Sequence, residues 1–159
     1  MSKSSSGLFI STIGANLSVS RFPSPARSIN TRKATSSVDP NEIRYSQTSV
    51  NGSGEIIESM KKNGWLGDPI DVVTMNDGKL TTLDNTRVVA ARAAGIKAEA
   101  RVHDYNDPLP DWATAERFTT PKGGIPSTWG QAVENRIGKQ SSSFRKSNPN
   151  GSYNMRKIK

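Results

Sequence analysis

One short turn, Asp84-Asn85-Thr86-Arg87, combines a carboxylate, an amide, a hydroxyl and a guanidinium in four successive residues. Asp84 or Asn85 can cap the alanine-rich helix that is predicted to follow. The amino end of that helix presents unpaired amides with partial positive charge, and Arg87 adds a planar fork that suits phosphate oxygens. The turn is therefore predicted to be an anion site. Arg87 and Asp84 are its predicted catalytic residues, and Asn85 and Thr86 its predicted phosphate ligands.

His103, the only histidine in the chain, is the third predicted catalytic residue. In a predicted strand it shares one face with Glu99 and Arg101. If the anion at the Asp84–Arg87 turn is an RNA phosphate, its metal-independent cleavage needs a base for the ribose 2′-hydroxyl and cations for the pentavalent phosphorane, and imidazole is the side chain that titrates near neutral pH. His103 is predicted to be this base, and the alternative is a structural histidine. Arg101 or Lys61 would act beside Arg87 as the cations.

Further polar and basic residues are predicted to bind the substrate. Trp129, which small residues flank, either stacks a base or packs its helix onto the domain. The other members lie in a strand-like segment or in the basic carboxyl-terminal segment: Gln47, Ser49, Arg136, Lys139, Arg145 and Lys146. No metal site and no cofactor are expected; the alternative is a Mg²⁺ ion held by Asp84 and one other carboxylate.

Charge and composition limit the function classes. The 159 residues carry 22 Lys and Arg against 14 Asp and Glu, which gives a formal net charge of +8, and only 33% are hydrophobic. Residues 1–40 carry net +4, residues 41–120 net −3 and residues 121–159 net +7. Two basic arms favour a polyanionic partner, because cations set against phosphates release counterions. The absence of cysteine excludes thiolate chemistry, and no apolar run is long enough to predict membrane insertion.

Apolar periodicity and turn residues indicate the elements that position these side chains. They predict, in chain order, a strand at residues 43–48, a helix that Ser53 caps and Gly64 ends, a hairpin at residues 69–83 that turns at Asn76-Asp77-Gly78, a helix at residues 86–94, a strand at residues 96–103 and a helix from Thr128 to Gly138. The fold class is therefore α/β (α+β), a small mixed sheet with short helices. Its domain is predicted at residues 41–118, between a Ser-rich, largely disordered or peripheral arm at residues 1–40 and a basic extension with one short helix at residues 119–159.

The segment at residues 80–96 resembles the ParB/sulfiredoxin-like superfamily. That family has a strand, an Asp-centred turn that ends in arginine, a helix of the Ala-Ala-x-x-Ala-Gly type and a further strand. The resemblance covers Ile43 to Asp104. The turn lacks the glycine and the histidine of the common Asp-Gly-x-His-Arg form, which puts a sulfiredoxin reaction out of reach. The shorter Asp-Asn-x-Arg form is similar to that of the C-terminal toxin domains of bacterial polymorphic and contact-dependent toxins.

The resemblance implies a ParB-like sheet and, for the toxin branch, a nuclease that acts on RNA. The first expectation is a ribonuclease toxin domain directed at tRNA or another structured RNA. It would be delivered from a secreted or surface effector and act in the target-cell cytoplasm. Its implied partners are a cognate acidic immunity protein and, in some systems, a host activating factor. Two alternatives remain: a non-catalytic nucleic-acid- or nucleotide-binding module, and a nucleotide-dependent phosphotransfer enzyme of the same superfamily.

Overall fold

The structure is a computed structural model that describes residues 34–158. Most of the predicted arm at residues 1–40 lies outside the described residues. The described part contains seven strands and five α-helices, which are interspersed along the chain. The predicted α/β class, with a mixed sheet and short helices, is confirmed.

Two sheets contain the seven strands. The strands are β1 Thr35–Val38, β2 Ile43–Arg44, β3 Ser49–Val50, β4 Ile70–Thr74, β5 Leu80–Thr82, β6 Ala98–Asp104 and β7 Lys157–Ile158. The main sheet has the order β1-β6-β4-β5-β2, and β3 and β7 form a separate parallel pair. In the main sheet β6 runs parallel to β4 and antiparallel to β1, whereas β5 runs antiparallel to β4 and parallel to β2. The sheet is therefore mixed.

Helices cover both faces of the main sheet. They are α1 Ser53–Asn63, α2 Asn85–Ala94, α3 Trp112–Arg117, α4 Trp129–Gly138 and α5 Ser142–Ser147. On one face α1 and α2 pack on a core that includes Ile70, Val72 and Ala100. On the other face α4 and α5 pack on a second core that includes Val73 and Leu83. Successive strand residues point to opposite faces, so the residues that alternate with the first core, His103 among them, lie on the face that α4 covers.

Local sequence signals place the ends of the helices near the candidate residues. The Asp84 side chain accepts from the Arg87 amide and caps α2, as predicted, and Gly95 ends that helix in the left-handed region at φ 71°. The predicted Thr128 cap of α4 is also confirmed. The predicted Ser53 cap of α1 is wrong: Gly52, at φ 75°, occupies that position without a side-chain bond, and Ser53 is the buried first residue of the helix.

Two strand boundaries differ from the sequence predictions. The sheet begins before residue 41, because β1 pairs with β6 at its edge. An exposed edge strand needs backbone hydrogen bonds and no apolar alternation, so its Thr-Ser-Ser-Val sequence gives no strand signal. The predicted strand at residues 43–48 is shorter in the structure, because only residues 43–44 form β2 and β3 begins at Ser49. Between them, Tyr45 pairs with Ser152 in an isolated bridge and Asn85 binds Ser46.

The basic carboxyl-terminal extension packs on the domain. Phe144 of α5 is buried in the second core, and Gly151 lies against Tyr45 and Thr81, where a Cβ atom would approach the Tyr45 carbonyl to 2.7 Å. The pairing of β7 with β3 then brings the end of the described chain back to residues 49–50. None of the helices at residues 34–158 is both long enough and apolar enough to span a membrane.

Candidate functional site

The Asp84–Arg87 turn forms the amino end of α2. One carboxylate oxygen of Asp84 accepts from the Arg87 amide at 3.2 Å, and the other accepts from Arg87 Nε at 2.8 Å. A cation at the amino end of a helix is unfavourable unless an anion lies near it and the free amides. In this structure the Asp84 carboxylate occupies that position.

Arg87 also holds the loop that follows α1. Its Nη1 donates to the carbonyl oxygens of Leu66, at 3.1 Å, and Asp68, at 2.5 Å. The guanidinium lies 5.3 Å from the centre of the Trp65 ring. A Cβ atom on Gly67 would lie 3.1 Å from Nη1, so the loop approaches the guanidinium closely. These contacts give Arg87 a positioning role between the α2 turn and residues 65–68.

Asn85 lies inside the protein. Only 2% of its surface is exposed, its Oδ1 accepts from the Ser46 amide at 2.7 Å, and its Nδ2 donates to Ser46 Oγ at 3.1 Å. Ser46 Oγ donates in turn to the Thr82 carbonyl. The amide of Asn85 thus joins the segment after β2 to the end of β5. Thr86, its neighbour in the predicted site, is half-buried.

His103 lies between a carboxylate and an indole. Its Nε2 is 2.8 Å from Asp71 Oδ1, and its ring is stacked on Trp129, with ring centres 4.0 Å apart and planes inclined by 13°. His103 and Trp129 are 6% and 7% exposed. Trp129 therefore packs α4 onto the sheet through the His103 ring, and its stacking on a nucleobase stays a prediction.

The Asp71 carboxylate determines which nitrogen of His103 can accept a proton. An ionised carboxylate only accepts hydrogen bonds, so Nε2 carries the proton in this pair. The lone pair of the neutral imidazole is then on Nδ1. This carboxylate–imidazole pair was not predicted from sequence, because Asp71 and His103 lie on neighbouring parallel strands and their pairing depends on the strand register.

Arg136 comes from the predicted basic extension and joins this region through Leu83. Its Nη1 donates to the Leu83 carbonyl at 3.3 Å. The Leu83 amide donates to the main-chain carbonyl of Asp71 at 3.2 Å. Leu83, which follows β5, therefore connects Arg136 to β4, the strand that contains Asp71.

Arg136 shares an aromatic ring with a second guanidinium. Its Cζ lies 5.3 Å from the centre of the Phe118 ring, and Cζ of Arg117 lies 4.9 Å from the same centre. Burial lowers the pKa of Arg136, and the charge of Arg117 lowers it further, whereas Asp84 raises it. Two like charges near one ring, with one acid nearby, make this part of the site attractive to an anion.

Arg101 is the register partner of Asp71 on the neighbouring strand and lies two pairs before His103. Its Nη1 lies 3.5 Å from the Pro69 carbonyl. Its buried Nε has no hydrogen-bond partner among residues 34–158. The predicted grouping of Arg101 with His103 on one face of the strand agrees with this register.

The structure does not bring the other predicted site residues to His103. Lys61 lies in α1, on the opposite face of the sheet, and its nearest acid is Glu58 at 3.7 Å. Ser49 lies in β3, which pairs with β7, and Gln47 precedes β3. The other three lie after α4 or in α5: Lys139, Arg145 and Lys146.

No group of three or more His, Asp or Glu side chains among residues 34–158 could hold a metal ion. Asp84 and Asp71, the carboxylates nearest the site, are already bound to Arg87 and His103.

No protein-family model, curated protein or solved structure matches this chain. The resemblance to the ParB/sulfiredoxin-like superfamily accordingly stays a prediction from residues 43–104.

Proposed function

We propose that this protein is a metal-independent ribonuclease that uses His103 as its general base. The observation that carries the proposal is the Asp71–His103 pair, which is stacked beneath Trp129. A carboxylate that fixes the tautomer and orientation of an imidazole is a recurrent arrangement in acid–base catalysis. The net charge of +7 in residues 121–159 supports an RNA substrate.

The reaction follows from the position of the proton. Nδ1 of His103 takes the proton of the ribose 2′-hydroxyl, and the 2′-oxygen attacks phosphorus. The bond to the 5′-oxygen breaks, which leaves a 2′,3′-cyclic phosphate and a free 5′-hydroxyl. With one histidine in the chain, the proton for the leaving oxygen comes from solvent water.

Two arginines supply the positive charge for the phosphorane. Arg136 and Arg117 lie near one ring, and Asp84 is the acid that acts on Arg136. Preorganised cations stabilise charge that develops in a transition state, since they need not reorient as it forms. Arg101 brings a further guanidinium opposite Asp71, with a buried Nε that has no partner in the described part of the chain. In this proposal Arg87 positions the turn and does not touch the scissile phosphate.

The test is cleavage of a structured RNA by the purified protein in the presence of EDTA. His103→Ala and His103→Gln should each lower the rate about 10²–10⁴-fold, the range for losing a general base. Asp71→Asn should also lower the rate, by up to about 10⁴-fold, because an asparagine amide can hold the imidazole in the wrong tautomer. It should shift the pH–rate profile as well, because it removes the negative charge beside the ring. The product should carry a 2′,3′-cyclic phosphate.

Arg156→Ala is the control, because it removes one exposed arginine away from these contacts. Cleavage of an RNA in which deoxyribose replaces ribose at the cut position would contradict the proposal, because no 2′-hydroxyl is then present. Full loss of wild-type activity in EDTA would contradict it as well.

The resemblance of residues 43–104 to nuclease toxins adds a biological role to the proposed activity. We infer a toxin domain, delivered by a larger effector, that acts on tRNA in the target-cell cytoplasm and is neutralised by an acidic immunity protein. Expression in a bacterial cytoplasm should then stop growth, and His103→Ala should abolish the effect. Growth inhibition that persists with His103→Ala would contradict this extension.

A non-catalytic RNA-binding module is the second candidate. Two observations favour it: His103 exposes 6% of its surface, and Arg87 donates to internal carbonyl groups. A 2′-hydroxyl can reach His103 only through the small part of the residue that is exposed, or after the Trp129 indole moves. For such a module, Arg136→Gln weakens RNA binding and no preparation of the protein cleaves RNA.

A further inference from the structure

A basic cleft lies between α4 and the loop that precedes it. Its volume is about 460 Å³, within the range of small-ligand sites. Lys122 of the loop, Lys139 after α4 and Arg145 of α5 contribute three cations to its lining, and Glu134 is the only lining acid. Within residues 34–158 none of the three cations forms a salt bridge.

The wall that carries Lys122 is rigid. Thr120 and Gly124 exchange backbone hydrogen bonds at 3.3 and 2.8 Å, and the Gly123 amide donates to Thr120 Oγ1 at 2.9 Å. Asn135 of α4 donates to the Gly124 carbonyl at 3.0 Å. A Cβ atom on Gly123 would approach Asn135 Oδ1 to 2.0 Å, so the loop lies directly on the helix. Lys122 is therefore presented from a fixed backbone.

The opposite side of the cleft is fixed by the end of α4. Arg145 Nη1 donates to the Gln140 carbonyl at 2.5 Å and lies 3.5 Å from the Gly138 carbonyl. The guanidinium is thus held at the carboxyl end of the helix, beside Lys139. Burial and, after it, the Glu134 carboxylate raise the pKa of Tyr105 to about 12, so this carboxylate also interacts with a residue outside the cleft lining.

We propose that this cleft binds a phosphate group of a ribonucleotide, with Lys122 and Lys139 as its charged ligands and Arg145 as a fixed third cation. Cations held on a fixed backbone attract a compact anion such as phosphate. His103 is not among the residues that line this cleft. If the phosphate belongs to an RNA backbone, the inference rests on the proposed function and adds a binding position outside the scissile bond. If it belongs to a free nucleotide, the cleft is a separate site.

The experiment compares the wild type with Lys122→Gln/Lys139→Gln. Binding to a short 2′-O-methyl oligoribonucleotide is measured by fluorescence anisotropy at several salt concentrations, and binding to AMP and to adenosine is measured by ligand-observed NMR. Lys62→Gln/Lys97→Gln is the matched control, since it removes two exposed lysines that belong to α1 and to the segment after α2. The 2′-O-methyl group prevents cleavage, so the result does not depend on His103 acting as a base.

For an RNA backbone, the slope of log affinity against log salt should fall by about 1.4 in the cleft variant, at roughly 0.7 for each phosphate contact to a single strand. The control should retain the wild-type slope. For a free nucleotide, AMP but not adenosine should bind, and the cleft variant should lose AMP binding while keeping its slope. Equal slopes in the cleft variant and the control, with no AMP binding that depends on Lys122 and Lys139, would overturn the inference.

Discussion

Arg87→Ala separates the structural role of this arginine from the catalytic role that its sequence position predicts. The change removes the ion pair with Asp84, two hydrogen bonds to the carbonyls of Leu66 and Asp68, and the contact with Trp65. An arginine that served only an external anion would be dispensable for folding. An arginine with these internal partners should stabilise the fold.

The size of the expected destabilisation depends on how far the Arg87 side chain is exposed to solvent. Hydrogen bonds to charged groups contribute about 1.5–3 kcal/mol when buried, but the Arg87 side chain is 22% exposed, so about 1 kcal/mol for each carbonyl is appropriate. The exposed ion pair with Asp84 and the cation–π contact with Trp65 add roughly 0.5 kcal/mol each, and relief of the helix dipole subtracts a similar amount. The net expectation is a loss of about 2.5 kcal/mol in the free energy of unfolding. For a folded part of this size that corresponds to a melting temperature lower by about 10 °C.

The assay is thermal and urea unfolding followed by circular dichroism. Arg87→Lys keeps the charge but loses the planar fork, so it should recover only part of the stability. Arg156→Ala, which removes one exposed arginine, should unfold like the wild type. An Arg87→Ala midpoint equal to that of Arg156→Ala would refute the structural role. It would instead favour the role in binding the substrate that the sequence predicts for Arg87.

Two further predictions concern stability. Hydrogen bonds from Arg44 lower the pKa of Asp77 to about 2, so this pair stabilises the fold above about pH 4, the carboxyl's range in the unfolded chain, and the contribution is lost as the pH falls toward 2. Urea unfolding should therefore show a steeper loss between these pH values in the wild type than in Asp77→Asn; parallel curves would contradict the assignment. Gly130→Ala places a Cβ atom 2.0 Å from the Tyr105 ring and should cost about 1–3 kcal/mol, whereas Gly138→Ala meets no atom within 4 Å and should be neutral or slightly stabilising. Equal midpoints for the two alanine variants in urea would show that the Tyr105 ring moves aside without cost.

Much of the central fold could be predicted because its signals are local. The Asp84 cap, the Gly95 stop and the Asn76-Asp77-Gly78 turn each depend on residues within a few positions of one another. A cap or a turn is fixed by short-range hydrogen bonds, so the sequence contains the whole signal. The same holds for α4, which begins after Thr128 as its capping residues predict.

The candidate site could be predicted only in part, because its geometry depends on long-range pairing. His103 was a candidate from its type, but its contact with Asp71 depends on the register of two strands, and its contact with Trp129 depends on α4 crossing the sheet. Arg136 is predicted to lie in the basic extension, and only the packing of α4 brings it to Leu83. No local pattern contains these distances.

The charges of the site support an anionic ligand more strongly than the net charge of the chain does. Asp84 and Asp71 are bound to Arg87 and His103, so the nearby acids have partners already. Arg117 and Arg136 remain near one ring, and their mutual repulsion costs free energy that a bound phosphate would offset. A phosphate bound beside the two arginines would convert this repulsion into affinity for an anionic ligand such as RNA.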